Sequence, residues 1–187
     1  MILGIGIGAV VALTVLAVRV RKQPDAFRIE RSIHIAAPAQ VVFGYVNDFH
    51  RWAAWSPYAA MDPSMQTTYS GAPAGVGAAY AWTGNKKVGA GKMTIRDSKP
   101  DRRVGFDLEF TRPMPANNVG EFVLQPEAGG VHVTWGMNGN NNLMGKLFSL
   151  AVDVDKMVGK DFEKGLATLK RLAEGQASAA LSADGTH

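Results

Sequence analysis

Between Leu143 and Glu174 apolar residues recur at Leu143, Leu147, Ala151, Val154, Val158, Phe162, Leu166, Leu169 and Ala173. That is helical spacing sustained for about eight turns. Charged residues (Asp155, Lys156, Lys160, Asp161, Lys164, Lys170 and Arg171) fill much of the remaining surface. A helix of this length with one apolar stripe has to bury the stripe against something of matching extent. The partner lies upstream. Segments at about 65–70, 77–83, 88–97, 102–111, 117–125 and 130–138 have strand character and are bounded by glycine, proline and asparagine. Val104, Phe106, Leu108 and Phe110 alternate with Gly105, Asp107 and Glu109; Val131, Val133, Trp135 and Met137 alternate with His132, Thr134 and Gly136. One apolar and one polar side per strand, with turns as short as "PEAGG", predicts an antiparallel sheet covered on one face. The long helix is the cover.

The chain before these strands adds two elements. In "FRIERSIHI", Phe27, Ile29, Ile33 and Ile35 share one parity and Arg28, Glu30, Ser32 and His34 the other, which predicts a half-buried strand. Arg31 interrupts the apolar side, a pattern that fits a sheet edge better than a bulge or a buried, partnered charge. "APAQVVFGYVNDF" has a proline near the first helical position and Val42, Tyr45, Val46 and Phe49 at helical spacing. This short helix runs into "NDFHRWAAWSPY", whose rings need an apolar surface to pack on. The fold class is therefore α+β, in the order strand, short helix pair, six strands, long helix. The last stretch, "GQASAALSADGTH", has little apolar bulk and is expected to be a disordered tail over residues 175–187.

From Ile2 to Val18 no charge interrupts the chain, and as a helix this run spans about 25 Å, the short end of a membrane span. It lacks a basic leading region and a small-residue cleavage site, so an uncleaved anchor fits better than an export signal. Arg19, Arg21 and Lys22 follow directly, and such a cluster belongs on the cytoplasmic side. The expectation is a transmembrane anchor with a basic flank over 1–22, a folded domain over 23–174 facing the cytoplasm, and a single-pass membrane protein.

Several chemistries are excluded. There is no cysteine, hence no disulfide, thiol nucleophile or cysteine-held metal. The net charge of +4 is mild and partly local, which gives no basic face for nucleic acid. His34, His50, His132 and His187 do not form a metal-binding spacing, and no metal or cofactor is expected. "GAGKMT" would need glycine at Lys86 and serine or threonine at Met93 to be a phosphate loop. "GVGAAY" lacks the last glycine of a dinucleotide fingerprint. Asp48 and His50 are the nearest thing to an acid–base pair, and a partly exposed histidine at a helix end accounts for them more simply. No catalytic residue is assigned.

The sequences "IERSIHIAAPAQVVFGYVNDFHRWAAWSPY", "GVGAAYAWTGNKKVGAGKMTI" and "MVGKDFEKGLATLKRLAE" resemble the START-related helix-grip superfamily, and within it the polyketide cyclase/dehydrase-type SRPBCC proteins. The likeness covers about residues 26 to 174. It implies a curved antiparallel sheet of about seven strands gripping the C-terminal helix, with an apolar cavity between them and the ring-rich segment closing one end.

On that reading the cavity is lined by Trp55, Tyr80, Trp82, Gly91, Met93 and Phe106, continuing through Phe110, Trp135 and Met137 to Met144 and Phe148 on the helix. Gly89 and Gly91 put no side chain into the interior and so leave room. Tyr45, Tyr58, Tyr69, Arg31 and Arg112 are the candidates for polar selectivity. The expected function is membrane-anchored binding of a hydrophobic small molecule or lipid. Two alternatives stand beside it: a cyclase or dehydratase acting on a ketide-like substrate, and a protein-interaction module with a filled core.

Overall fold

The computed structural model describes residues 13–184. After β1 (Ala26–Ile35) come α1 (Ala39–Val46), a 3-10 helix (Phe49–Ala54) and α2 (Pro57–Met61). The strands β2 (Gln66–Gly71), β3 (Ala78–Thr83), β4 (Ala90–Lys99), β5 (Arg103–Arg112), β6 (Ala116–Glu127) and β7 (Gly130–Asn140) follow, then α3 (Leu143–Ala151) and α4 (Val154–Asp184). The strands form one seven-stranded sheet in the order β1-β7-β6-β5-β4-β3-β2. Every pairing is antiparallel. β2 to β7 are a meander of adjacent hairpins, and β1 closes against β7 with Phe27 opposite Gly139 and Ile35 opposite Val131.

The alternation sets the two faces as predicted. On the inner side Val104, Phe106, Phe122, Leu124, Val131 and Val133 are buried with Phe162, Leu166, Leu169 and Ala173 of α4. On the outer side a row of charges crosses the strands: Arg28 reaches Glu121 at 3.1 Å, Arg103 reaches Glu121 at 3.0 Å and Asp97 at 2.9 Å. Burial works to raise the Glu121 carboxyl, but hydrogen bonds from Arg28 and Arg103 outweigh it and hold the group below its usual range.

Arg31 proves to be both an edge residue and a partnered charge. It lies on β1, the edge strand, and its guanidinium meets Asp155 at 2.9 Å and Glu163 at 3.0 Å, both on α4. The helix can come this close because it has a glycine there: a Cβ on Gly159 would stand 2.0 Å from the guanidinium. Farther along, Lys170 donates to the His34 carbonyl at 2.8 Å and Glu174 accepts from the Ala36 N–H at 2.8 Å. Polar contacts thus fix α4 along the edge of β1.

Three expectations change. The single C-terminal helix is two, because Val152 has an extended backbone (φ −131°, ψ 129°) and the Asp153 carboxylate accepts from the Lys156 N–H at 3.0 Å, capping a new helix. The stretch from 175 to 184, expected as tail, continues α4 to Asp184. The membrane anchor and the single-pass, cytoplasm-facing placement are corrected: among the described residues no helix is long and apolar enough to cross a membrane. Among the described residues the helical ones at this end run from 13 to 21, which at 1.5 Å per residue is about 13 Å against a hydrocarbon layer of about 30 Å. The rest of the expected span, residues 1–12, lies outside the described residues.

Asp62 is buried and pins the β3–β4 turn. It accepts from the Ser64 hydroxyl at 2.7 Å, the Ser64 N–H at 3.1 Å and the Asn85 N–H at 2.7 Å. The Ser64 hydroxyl, followed by the Asn85 N–H, holds its carboxyl below the usual carboxylate range. A carboxyl with a depressed folded-state pKa stabilises the fold above its unfolded pKa of about 4, and that contribution is lost as pH falls through the folded value. Asp62→Asn is therefore expected to lower the urea midpoint at pH 7, with the gap to the parent protein narrowing below about pH 4; a gap independent of pH would contradict this account. Phe162→Ala, which removes a fully buried ring, should cost about 3–5 kcal/mol in the same measurement.

Candidate functional site

The ring-rich segment builds one end of the interior. Asp48 caps the 3-10 helix by accepting from the His50 N–H at 2.9 Å, and two indoles point inward with their N–H groups satisfied. Trp52 donates to the Val46 carbonyl at 3.1 Å and Trp55 to the Tyr45 carbonyl at 3.3 Å. Their rings meet the sheet edge-on, Trp52 with Phe106 at 5.4 Å and Trp55 with Trp135 at 5.4 Å. Trp135 in turn lies between Phe122 at 5.1 Å and Phe162 of α4 at 4.0 Å, the latter nearly parallel at 9°. This end is closed by rings in contact.

Burial then fades along the inner rows of β5, β6 and β7. On β5, Val104 is 0% exposed, Phe106 2%, Leu108 9%, and Phe110 is half-buried. The same order holds on β7 from Val133 to Met137 and on β6 from Phe122 to the half-buried Asn118. The cover ends where the interrupted helix ends: α3 contributes no buried residue, and Met144 and Phe148 on it are 56% and 41% exposed. Beyond the rings lies an apolar groove whose floor, Trp82, Met93, Leu108 and Met137, is buried at 8–9% exposure and whose mouth, Phe27, Phe110 and Asn118, is half-buried.

The glycines of the floor are filled by rings. Three cross-strand pairs join an aromatic residue to a glycine: Trp82 with Gly91, Phe106 with Gly120 and Phe27 with Gly139. A Cβ on Gly91 would lie 2.3 Å from the Glu109 carbonyl oxygen and 2.5 Å from the Trp82 ring, on Gly120 2.2 Å from Phe106 and on Gly139 2.7 Å from Phe27. Each ring lies down over its glycine, and Trp82 is held there by its indole N–H, which donates to the Val88 carbonyl at 3.0 Å. The glycine positions themselves therefore offer no room. Gly89 precedes β4, and its φ of +67° marks it as a turn residue.

Of the residues read from the sequence, Trp55, Phe106 and Trp135 sit in the closed end, while Trp82, Gly91, Met93, Phe110 and Met137 sit in the groove. Tyr80 is half-buried at the groove's β3 side, stacked on Trp82 at 6.0 Å, with burial and then Tyr69 pushing its hydroxyl up to about 12. Met144 and Phe148 are beside the groove on α3, turned to solvent. Phe27, Leu108 and Asn118 are groove residues that the sequence reading did not select. For Asn118 a signal was present, since it shares the parity of Phe122 and Leu124.

The polar candidates have other employment. Arg31 holds α4, and Tyr45 lies under the Arg51 guanidinium at 3.7 Å. Burial and then the Asp161 charge raise the Tyr58 hydroxyl. Tyr69 stacks on His50 at 4.2 Å, whose Nδ1 is 3.0 Å from Asp48. Arg112 is exposed at the end of β5. Among the described residues no group of histidine, aspartate and glutamate could hold a metal. A hollow of about 490 Å³ where β1, β6 and β7 meet is lined by Phe27, Asn118 and Gly139 of the inner parity and by Arg28, Asn117, Asn138 and Asn140 of the outer one, and Arg28 there is committed to Glu30 and Glu121.

Residues 26–174 match the family described as polyketide cyclase / dehydrase and lipid transport. A comparison with curated proteins finds no match. Among solved structures, a protein from Chromobacterium violaceum is 16% identical with a TM-score of 0.57, over 81% of this chain and 99% of that one. The Aha1 dimer from Colwellia psychrerythraea is 15% identical with a TM-score of 0.57, over 79% and 96%. The di-domain ARO/CYC StfQ from the steffimycin biosynthetic pathway is 9% identical with a TM-score of 0.59, over 82% of this chain and 52% of that one. At these identities the likeness is one of fold.

Because a Cβ at position 91 would meet both the Glu109 carbonyl oxygen and the Trp82 ring, Gly91→Ala should displace the indole and strain the pairing of β4 with β5. The expected cost is about 1–3 kcal/mol by urea unfolding, with a red-shifted tryptophan emission as the indole leaves its buried position. Unchanged stability and emission would mean that the ring does not depend on the glycine.

Proposed function

Since the chain belongs to the polyketide cyclase / dehydrase and lipid transport family, we propose that it binds a hydrophobic small molecule or lipid in the groove between the open end of the sheet and α3. The observation that carries this reading is the fade in burial along the inner rows of β5, β6 and β7, apolar except for Asn118 as far as Phe110 and Met137. Phe27 and Phe110 are left half-buried at the mouth; apolar surface in water is unfavourable, and an apolar guest relieves it. Burying about 300 Å² of ligand surface contributes on the order of 7 kcal/mol before the entropic cost of association, enough for micromolar affinity with few polar contacts. Flat rings on the floor favour a flat, polycyclic guest, in keeping with a structural neighbour, the di-domain ARO/CYC StfQ from the steffimycin biosynthetic pathway.

Turnover has less support than binding. Cyclisation or dehydration of a ketide requires a proton acceptor beside the substrate. Along the floor rows the titratable side chain is Tyr80, and its hydroxyl is pushed up to about 12, so it stays protonated at neutral pH. A second reading, docking of a protein partner, draws on the exposed Leu143, Met144 and Phe148 of α3. The two separate cleanly, because a guest in the groove touches Phe110 whereas a partner on the outside of α3 does not.

Anthracene titrated into the protein should quench tryptophan emission with a Kd in the micromolar range. Phe110→Glu, which puts a carboxylate at the half-buried mouth, should weaken that binding at least tenfold, about 1.4 kcal/mol. Absence of saturable quenching, or binding indifferent to the Glu substitution, would overturn the groove as a binding site.

A further inference from the structure

The mouth of the groove contains one amide. Asn118 stands opposite Leu108 on β5 and Gly139 on β7, on the same inner rows as Phe110, Met137 and Phe27. A Cβ on Gly139 would meet both the Asn118 side chain, at 2.1 Å, and the Phe27 ring, at 2.7 Å, so amide and ring lie side by side over that glycine. Asparagine is poorly suited to a strand, and less so to a strand's apolar face.

The rest of the fold makes almost no use of this amide. Its side-chain contact is an N–H directed at the Met137 sulfur, 3.9 Å away, and a thioether is a weak acceptor. Among the described residues the second N–H and the carbonyl oxygen have no protein partner. Other asparagines are engaged: Asn47 accepts from Ser98, Asn85 from the Lys87 N–H and Asn138 from Arg28. Asn141 donates to the Pro24 carbonyl and Asn142 caps α3. Asn117 and Asn140 are exposed. Asn118 combines half-burial, an apolar row and unused hydrogen-bonding capacity.

We propose that Asn118 is the specificity-determining residue of the groove, recognising a carbonyl or hydroxyl group on an otherwise apolar, ring-shaped ligand. This rests on the groove being the binding site. A ligand carbonyl accepts from the free N–H, or a ligand hydroxyl donates to the amide oxygen, while the hydrocarbon part covers Phe27, Phe110 and Met137. Closing the groove over the amide without such a group leaves its donors and acceptor unmet, which selects against a pure hydrocarbon.

The test compares anthrone, a tricyclic ketone, with anthracene, its hydrocarbon counterpart, by tryptophan quenching on the full chain. Asn118→Leu is expected to weaken anthrone three- to tenfold, the range of one net hydrogen bond, and to leave anthracene binding equal or tighter. Asn117→Leu, on the adjacent outer-face residue, should change neither Kd. Equal losses for both compounds in Asn118→Leu, or an unchanged anthrone Kd, would overturn the assignment. Should Asn118→Leu fail to match the parent urea midpoint, Asn118→Thr replaces it, with retention of anthrone over Asn118→Ala as the supporting result and no difference between the two as the overturning one. Failure of the parent protein to bind either compound would instead overturn the groove itself, and this inference with it.

Discussion

The stack of Trp135 between Phe122 and Phe162 is the interaction on which the architecture rests. It joins the sheet to α4 at van der Waals distance in one place, and the two inward indoles of the 3-10 helix lean on the same rings. Flat aromatic surfaces bury a large area with little rotamer loss, so a few residues lock three elements. The ion pairs of Arg31 with Asp155 and Glu163 are partly solvated and add modest energy. Their contribution is orientation: they fix where along β1 the helix begins.

Once that end is fixed, the rest of the inner face is left with less cover than it has apolar surface. α4 lies along β1 and its buried residues meet the closed end, while α3 has no fully buried residue of its own. The interior is therefore asymmetric, solid where the rings meet and less covered where β5, β6 and β7 run on beyond them. A filled core occupies one half of the sheet, and the proposed binding surface would occupy the other.

Much of this was legible in residue order alone. Period-two alternation placed all seven strands within a few residues of their observed bounds, and the spacing of Phe162, Leu166, Leu169 and Ala173 identified the covering face of α4. What escaped depends on three-dimensional neighbours. The break at Val152 lies in an apolar pattern that runs on unperturbed, and it becomes visible only through the cap made by Asp153. The glycine at position 91 promised space because a sequence does not reveal that the residue across the strand is a tryptophan. The apolar start of the chain read as a short membrane span from its uncharged run alone, and among the described residues no helix is long and apolar enough to cross a membrane. Asn118 was passed over because its neighbours on the chain, Asn117 and Val119, face the other way.

The interruption at Val152–Asp153 has an energetic consequence for motion. α4 cannot leave the sheet without exposing Phe162 and its neighbours, so its release is tied to global unfolding. No residue of α3 is fully buried, Leu147 and Leu150 being half-buried, and its polar attachments are the Lys146–Asp25 pair and the hydrogen bonds from Asn141 to Pro24 and Asp25. Its detachment thus belongs among the low-lying local openings of the native ensemble, and the two halves of what reads as one amphipathic helix are thermodynamically uncoupled.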